Sequence, residues 1–392
     1  MMDILLELTD EQREIQKSVR DFVVRAVDPI ANELDADYKE IPESVLKGMA
    51  ELGYFGATIP DTYGGLGLDY TSMCLLTEEL ARGWFAVGSV GTRGYIAGAA
   101  LLRYGTEEQK RRWLPAIASG EMLVGICLTE PNFGSDLAGI TCRAERTATG
   151  YRISGEKSWV TLGNRASLLM VLVRTSPDAG LRHKGLSVLF VEKRPGNDLA
   201  PPHLTGKPIP CVGYHGLKTY TYFFEGLEVP RENLLGGEEG IGFKQTMTAL
   251  ETGRCQTAAR GLGVAQAALD DAIAYAKERV CFGKPLSALP VIQHKIAHMS
   301  TDVASARQLV YAVARQMDKG GRCDVEAAHA KSHASEVAFR VADENVQIHG
   351  AYGYSMEYNA QRYWRDARLL KIFEGTHEIL QNVIARGVLD LA

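Results

Sequence analysis

The segment Ile126-Cys127-Leu128-Thr129-Glu130-Pro131-Asn132-Phe133-Gly134-Ser135-Asp136 lies where the pattern of this 392-residue sequence changes from helical to strand-like. Its first residues form a short apolar run of strand length, and the rest is a turn rich in hydroxyl groups and backbone donors. Such a turn suits a phosphate or a planar heteroaromatic ring, although a simple connecting loop can have the same composition. The pattern is helical before this segment and strand-like after it.

Residues 9 to about 120 show one helical pattern after another. The stretches Thr9-Asp10-Glu11-Gln12 and Thr106-Glu107-Glu108-Gln109 both match the capping box, in which a hydroxyl and an amide satisfy the first backbone N–H groups of a helix. Apolar residues recur at helical spacing after the first box, as in Ile15, Val19, Phe22, Val23 and Val27. The glycine-rich stretch 60–67 is predicted to be a loop.

Short β-branched and aromatic runs between residues 121 and 235 predict strands, for example at 151–154 and 186–191. Four long helices are predicted after residue 239, over 243–280, 290–319, 324–348 and 376–389. The predicted fold class is therefore a multidomain α+β protein. We expect an N-terminal helical domain (1–120), a central small β-barrel or sandwich (121–235) and a C-terminal four-helix bundle (236–392).

The composition excludes several classes of protein. Forty-three basic and 48 acidic residues give a net charge of −5, which argues against a nucleic-acid binder, and 46% hydrophobic residues argue against disorder. The seven cysteines form no C-x-x-C pair, which is typical of a reducing compartment. The N-terminus lacks the features of an export signal or transit peptide, and no long uncharged apolar stretch predicts a membrane span. We therefore expect a soluble, cytoplasmic protein.

Two motifs that could indicate other chemistry are weak. Gly261-Leu262-Gly263 begins like a dinucleotide-binding loop, but it lies within a predicted helix with no preceding strand, so close helix packing explains it better. The pairs His294/His298 and His329/His333 have helical spacing but lack the glutamate of a zinc-protease motif and a third ligand. We predict no metal site.

A second informative segment lies near the C-terminus. Gln347-Ile348-His349-Gly350-Ala351-Tyr352-Gly353 ends one predicted helix with glycines, and Arg365-Asp366-Ala367 follows it. Phe373-Glu374-Gly375-Thr376 then precedes the last helix. A carboxylate between an aromatic residue and glycine is a candidate general base. The alternative is that Glu374 only stabilises the N-terminus of the helix that follows.

Together these segments resemble the two signatures of the acyl-CoA dehydrogenase family, and the resemblance covers essentially the whole chain in the same domain order. It implies an FAD-dependent enzyme that oxidises an acyl-CoA thioester between Cα and Cβ. Glu374 matches the usual base, which takes the α-proton while the β-hydride passes to flavin N5. Relatives that place the base on the long bundle helix have it at the position of Gly253, where glycine cannot serve.

The resemblance also assigns the cofactor site, which a neighbouring subunit is expected to complete. The residues expected to bind FAD are Ile126, Leu128, Thr129, Gly134, Ser135, Trp159, Thr161, Arg279, Phe282, Gln293, Gln347, Gly350, Ala351, Thr376 and Glu378. Many relatives have a glutamine where this chain has Pro290, and Gln293 is the expected substitute. A homotetramer and an electron-transfer flavoprotein as electron acceptor are expected on the same grounds.

The residues expected to contact the acyl-CoA are Arg93, Ser135, Glu251, Arg254, Phe373 and Gly375. Arg93 lies in an apolar helical stretch that lines the bottom of the acyl pocket in relatives, so we hypothesise that it binds a free substrate carboxylate. The alternative is a structural ion pair with one of the many local acidic residues, such as Glu78 or Glu79.

Residues 251–260, Pro290 and 322–327 resemble the branch of the family that acts on 2-substituted succinyl-CoA esters. Members that oxidise 2-methylsuccinyl-CoA typically carry a long N-terminal extension that this sequence lacks, and Gly253 is expected to leave room for a bulky substituent. We therefore favour 2-benzylsuccinyl-CoA, oxidised to benzylidenesuccinyl-CoA in anaerobic toluene breakdown. The alternatives are 2-methylsuccinyl-CoA, glutaryl-CoA or a short or branched acyl-CoA, and, from other classes, an acyl-CoA oxidase or a catalytically silent scaffold.

Overall fold

The N-terminal part of the chain folds into seven helices. The computed structural model describes residues 6–196 and 203–390, so the residues at 1–5 on which the export-signal argument partly rests lie outside it. The helices are α1 (Asp10–Ala26), α2 (Asp28–Ala36), α3 (Glu43–Glu51), α4 (Tyr70–Gly83), α5 (Phe85–Val90), α6 (Thr92–Tyr104) and α7 (Glu107–Ala118).

Both predicted capping boxes are confirmed. The backbone N–H of Gln12 donates to the hydroxyl of Thr9 at 3.1 Å, and the Gln12 side chain accepts from the Thr9 N–H at the same distance. Thr106 and Gln109 repeat this arrangement at the start of α7. Residues 60–67 form a loop with one short 3₁₀ turn, as predicted.

The apolar helical stretch that contains Arg93 passes through the core of the fold. Among the described residues, Phe85–Tyr104 is long and apolar enough to span a membrane by composition alone. In the structure it comprises α5 and α6, and 89% of its most apolar window is buried in the protein. It therefore serves as core, and Arg93 lies within it.

In its described residues, the central region forms one hydrogen-bonded set of seven strands. They are β1 (Val124–Cys127), β2 (Arg143–Arg146), β3 (Gly150–Thr161), β4 (Leu168–Arg174), β5 (Leu186–Glu192), β6 (Leu204–Ile209) and β7 (Thr219–Pro230). Their order is β1-β4-β2-β3-β7-β6, and β5 pairs with β4. The long β3–β7 pair is antiparallel with two irregularities in register, one of them between Lys157 and Val160, beside Trp159.

Five helices, rather than the four predicted, follow in the described part of the C-terminal region. They are α8 (Gly242–Glu278), α9 (Pro290–Asp318), α10 (Asp324–His349), α11 (Asn359–Leu369) and α12 (His377–Val388), and the two-residue strands β8 (Val280–Cys281) and β9 (Lys284–Pro285) pair between α8 and α9. Helix α11 is the addition. It was missed because polar and charged residues dominate its sequence, and several of the residues on its buried face are themselves polar.

The glycines of Gly261-Leu262-Gly263 lie where α8 contacts its neighbours. A Cβ atom on Gly263 would lie 2.3 Å from the carbonyl oxygen of Glu78 in α4, and one on Gly261 would lie 3.2 Å from that of Ala334 in α10. The interpretation of this motif as close helix packing is therefore confirmed.

Candidate active site

Glu374 lies in the connection between α11 and α12, with its backbone in the left-handed region. Its φ is +55°, and Gly375 follows with a φ of +94°. A glutamate in this conformation is uncommon, and such strain is typical of functional positions. The carboxylate is mostly buried, and its Oε1 accepts from Nη2 of Arg260 in α8 at 2.8 Å. The hydroxyl of Thr257, also on α8, contacts Oε2.

Arg260 is a site residue that the sequence analysis did not identify. It is completely buried, its Nη1 donates to the hydroxyl of Ser89 at 3.0 Å, and its guanidinium carbon lies 5.6 Å from the ring centre of Phe85 and 4.9 Å from that of Phe373. The available signal was a charge within the small, apolar run that surrounds Arg260 on a core helix. The same signal drew attention to Arg93.

Arg93 contacts the same serine as Arg260. Its Nη1 donates to the backbone oxygen of Ser89 at 2.7 Å, and its Nη2 donates to the hydroxyl of Tyr214 at 2.9 Å. Its guanidinium also lies 5.8 Å from the centre of the Tyr214 ring. Only 7% of Arg93 is exposed, and no carboxylate within residues 6–196 and 203–390 forms an ion pair with it.

The alternative interpretation of Arg93, a structural ion pair with Glu78 or Glu79, is wrong. Glu78 accepts from the guanidinium of Arg307 and from a tyrosine hydroxyl. Glu79 accepts from Arg20, with Nε to Oε2 at 3.0 Å. Both acids lie on α4 and have other cations beside them, so neither neutralises Arg93.

The segment Arg365-Asp366-Ala367 contacts Tyr214, the tyrosine that accepts a hydrogen bond from Arg93. The carboxylate of Asp366 accepts from the backbone N–H of Tyr214 at 2.7 Å, and burial raises the pKa of Asp366 to about 6. Arg365 pairs with Asp35 of α2. The ring of Tyr214 lies 5.2 Å from that of Phe85 and 6.1 Å from that of Phe373. The segment therefore helps to fix the tyrosine that holds Arg93.

Two further cations surround the Glu374 connection. Lys331 of α10 is completely buried and donates to the backbone oxygen of Gly375 at 2.7 Å, and burial lowers its pKa to about 7. Arg254 of α8 is buried, its Nε has no hydrogen-bond partner, and burial lowers its pKa. A buried guanidinium N–H without a partner fits the expected contact with acyl-CoA.

The other substrate residues expected on α8 differ in their surroundings. Glu251 accepts from the backbone N–H of Cys323 at 3.2 Å, and burial raises its pKa. The expected room beside Gly253 is wrong for this structure. A Cβ atom there would lie 2.8 Å from Cδ1 of Ile96 and 3.6 Å from Oε2 of Glu374. The side chain of Ile96 already occupies the space beside this glycine, so Gly253 gives no argument for a bulky substituent.

The residues expected beside the flavin ring form one surface of the β-region. Ile126 and Leu128 are half-buried at the end of β1, and Gly134 and Ser135 are exposed in the turn that follows. The backbone N–H of Ser158 donates to the oxygen of Thr129 at 2.8 Å, which joins this turn to β3. On β3, Trp159 is 59% exposed with a φ of +64°, and the hydroxyl of Thr161 lies 3.3 Å from that of Thr219. An exposed indole beside hydroxyls and open backbone donors fits a planar ring with a polar edge.

A second group of expected FAD residues lies at the ends of the C-terminal helices. Phe282 is 87% exposed with a φ of +51° between β8 and β9, and the guanidinium of Arg279 lies 5.5 Å from the ring of Tyr352. Gln293 donates to the backbone oxygen of Ser287. The exposed residues at the end of α10 are Gln347, Gly350 and Ala351.

Thr376 and Glu378 form the start of α12. The Thr376 hydroxyl accepts from the N–H of Ile379 at 3.3 Å. Glu378 is exposed in the first turn, where a hydrogen bond from its own backbone N–H lowers its pKa. Both residues are placed to cap the helix and follow Glu374 closely.

The arrangement of these groups defines a class of protein: a β-region with an exposed indole, and a helical region in which Arg260 pairs with the mostly buried carboxylate of Glu374. Sequence models describe the N-terminal, middle and C-terminal domains of acyl-CoA dehydrogenases, and they match residues 9–121, 125–227 and 240–389. The chain belongs to the acyl-CoA dehydrogenase family. Members of this family are FAD-dependent, and the residues described above fit that cofactor.

Several known proteins are similar over nearly the whole chain. (2S)-Methylsuccinyl-CoA dehydrogenase of Cereibacter sphaeroides is 44% identical over 386 residues, which are 98% of this chain and 70% of that protein. The structure of butyryl-CoA dehydrogenase from Megasphaera elsdenii has a TM-score of 0.92 at 36% identity, covering 98% of this chain and 99% of that one. The structure of a glutaryl-coenzyme A dehydrogenase with glutaryl-CoA has a TM-score of 0.93 at 34% identity, covering 99% and 97%.

Proposed function

We propose that this acyl-CoA dehydrogenase acts on a 2-substituted succinyl-CoA, which carries a free carboxylate beside the thioester arm. The observation that carries the proposal is Arg93, a buried guanidinium with no carboxylate partner among the described residues, hydrogen-bonded only to neutral oxygens. Burying a cation without an anion is costly, and a substrate carboxylate would remove that cost. The similarity to a methylsuccinyl-CoA dehydrogenase supports the same substrate class.

Glu374 is the proposed α-proton base. A thioester α-proton is only weakly acidic, so its removal requires hydrogen bonds to the thioester oxygen as negative charge develops there. The backbone N–H of Glu374, in its left-handed conformation, is the proposed donor from this chain. FAD, when bound beside Trp159 and Thr161, would supply the acceptor for the β-hydride. Arg93 and Tyr214 hold the other end of the substrate, so Cα stays within reach of the carboxylate.

Two thioesters of this class, 2-benzylsuccinyl-CoA and 2-methylsuccinyl-CoA, are favoured by different observations. The sequence analysis favours 2-benzylsuccinyl-CoA, but its argument from space beside Gly253 does not hold because Ile96 fills that space. The 44% identical relative favours 2-methylsuccinyl-CoA. Aromatic side chains around the pocket, Phe85, Tyr214 and Phe373, would contact either substituent through apolar surface.

An electron-transfer flavoprotein is the proposed electron acceptor and a homotetramer the proposed assembly. The two groups of expected FAD residues lie on different domains, and Phe282 projects from the second group with most of its surface exposed. Contact with a neighbouring subunit would cover this aromatic side chain and bring it to the cofactor.

The substrate class is tested by steady-state kinetics on the FAD-loaded enzyme with a panel of CoA esters: succinyl, glutaryl, 2-methylsuccinyl, 2-benzylsuccinyl and butyryl. Electron-transfer flavoprotein and oxygen are compared as acceptors. We expect kcat/KM to be highest for one of the two 2-substituted succinyl esters, with electron-transfer flavoprotein as acceptor. A higher value for butyryl-CoA would contradict the proposal.

A further inference from the structure

The pocket around Ser89 contains more positive than negative charge. Arg93 donates to its backbone oxygen and Arg260 to its hydroxyl, so the two guanidinium groups converge on one residue. Glu374 is the carboxylate that pairs with this group, and it contacts Arg260. Among the described residues, two buried guanidinium groups and one carboxylate leave one positive charge without an ion-pair partner, and the two oxygens of a second carboxylate would suit the two arginines.

The ion pair between Arg260 and Glu374 also conflicts with catalysis by Glu374. In this arrangement Oε1 of Glu374 accepts from Arg260 and its Oε2 contacts the hydroxyl of Thr257, so both oxygens are occupied. Breaking that pair without a replacement leaves a buried charge uncompensated. A base in this position therefore needs something that takes over Arg260 when the substrate arrives.

We propose that Arg260 determines specificity by exchanging carboxylate partners. It pairs with Glu374 in the free enzyme and, together with Arg93, with the free carboxylate of the substrate in the complex. The exchange keeps the buried charge of Arg260 compensated and releases Glu374 toward the α-proton. A neutral acyl ester offers no replacement anion, so it leaves Glu374 held. This inference rests on the proposed substrate class and explains how the enzyme would select it.

The aromatic rings of Phe85 and Phe373, which lie against the guanidinium of Arg260, would stabilise this cation during the exchange of partners. Both rings lie within cation–π distance of its guanidinium, so the cation stays stabilised while one hydrogen-bonding partner replaces another. Phe373 directly precedes Glu374, so movement of the base and of this ring is coupled through the chain.

The test compares two esters on the FAD-loaded wild type, Arg260→Gln and Arg260→Lys. The esters are 2-methylsuccinyl-CoA and its neutral counterpart, in which a methyl group replaces the free carboxylate. For Arg260→Gln we expect kcat/KM to fall roughly 100-fold with the dicarboxylic ester and to rise with the neutral one, because Arg260 then no longer holds Glu374. Arg260→Lys should restore part of the preference for the dicarboxylic ester. The ratio of the two values from one preparation does not depend on the fraction of enzyme that has folded.

Two results would overturn the inference, and they can be told apart. If the wild type prefers the neutral ester, the proposed substrate class fails and the exchange fails with it. If the wild type prefers the dicarboxylic ester but Arg260→Gln loses activity equally with both esters, the substrate class stands. Arg260 then only holds Glu374 in position.

Discussion

Two arginines, Arg93 and Arg260, donate hydrogen bonds to one serine, and Glu374 pairs with Arg260. They come from α6, from α8 and from the connection before α12. Glu374 and Arg93 could be identified from the sequence because one follows a family signature and the other is a charge in an apolar run. The hydrogen bonds that connect Arg93 to Glu374 through Ser89 and Arg260, and the bond from Arg93 to Tyr214, could not be predicted from the sequence. They depend on how separate elements pack against one another.

The role of Arg93 predicts a change confined to one kind of substrate. Arg93→Ala should raise KM roughly 100-fold for a 2-substituted succinyl-CoA and no more than about threefold for butyryl-CoA, because only the former loses a charge-assisted hydrogen bond. Steady-state kinetics on the two esters measure both effects. Equal increases in KM would contradict carboxylate binding by Arg93.

Lys331 predicts a pH dependence of stability. Burial lowers its pKa to about 7, whereas an unfolded lysine has a pKa of about 10.4. Between these values the unfolded chain binds more protons, so stability rises with pH, and below about pH 7 the full cost of burying the ammonium is present. Relative to Lys331→Met, the wild type should therefore gain roughly 3 kcal/mol of unfolding free energy from pH 7 to pH 10.

Denaturant titrations of both proteins at several pH values measure this difference directly. The Lys331→Met variant contains all the other groups that titrate over the same pH range, so the difference between the two proteins reports Lys331 alone. A constant difference between the two proteins would show that Lys331 keeps its charge throughout.

At the scale of elements, α8 organises the molecule: it carries Arg254, Thr257 and Arg260, and it packs against α4 and α10 through glycines. The sequence predicted this helix, because a long stretch without proline carries apolar residues at helical spacing. It did not predict α11, whose polar composition hides its buried face. Nor did it predict what faces Gly253, because Ile96 reaches that position from a different helix.

The close contact of α8 with α4 predicts that Gly263→Ala is destabilising. Its Cβ would lie 2.3 Å from the backbone oxygen of Glu78 and 2.8 Å from the N atom of Arg82, so the helices must move apart. We expect a loss of roughly 2–3 kcal/mol in unfolding free energy. The matched control is Gly98→Ala in α6, where the new Cβ would meet only Ile59 at 3.6 Å.

Because Gly98 lies in a helix with space beside it, alanine there should be neutral or stabilising by up to about 1 kcal/mol. Thermal and denaturant unfolding of both variants checks the pair. Equal stabilities would mean that the α4–α8 contact tolerates an extra methyl group.

At the scale of the whole molecule, the order of helical, β and helical regions could be predicted from changes in periodicity along the chain. The arrangement of the seven strands could not, because β1 pairs in parallel with β4 and β3 pairs with the distant β7. Assembly was likewise expected only from family resemblance. The exposed Phe282 and Trp159 mark the two surfaces that a shared cofactor site would bring together.

A shared cofactor site predicts that FAD retention depends on both surfaces. Arg279→Ala should weaken FAD binding about tenfold, because the shared site would place this cation against the cofactor of a neighbouring subunit. Flavin content after gel filtration and the mass by light scattering measure retention and assembly together. A wild-type monomer that retains one FAD per chain would contradict the shared site.

The central claim, that Glu374 removes the α-proton of a 2-substituted succinyl-CoA, is tested most directly by anaerobic bleaching of the flavin absorbance in wild type and Glu374→Gln. The wild type should bleach when 2-methylsuccinyl-CoA or 2-benzylsuccinyl-CoA is added. Glu374→Gln should keep its FAD and bind the same ester, with bleaching slowed at least about 1,000-fold. Bleaching of the variant at a rate close to that of the wild type would contradict the assignment of the base.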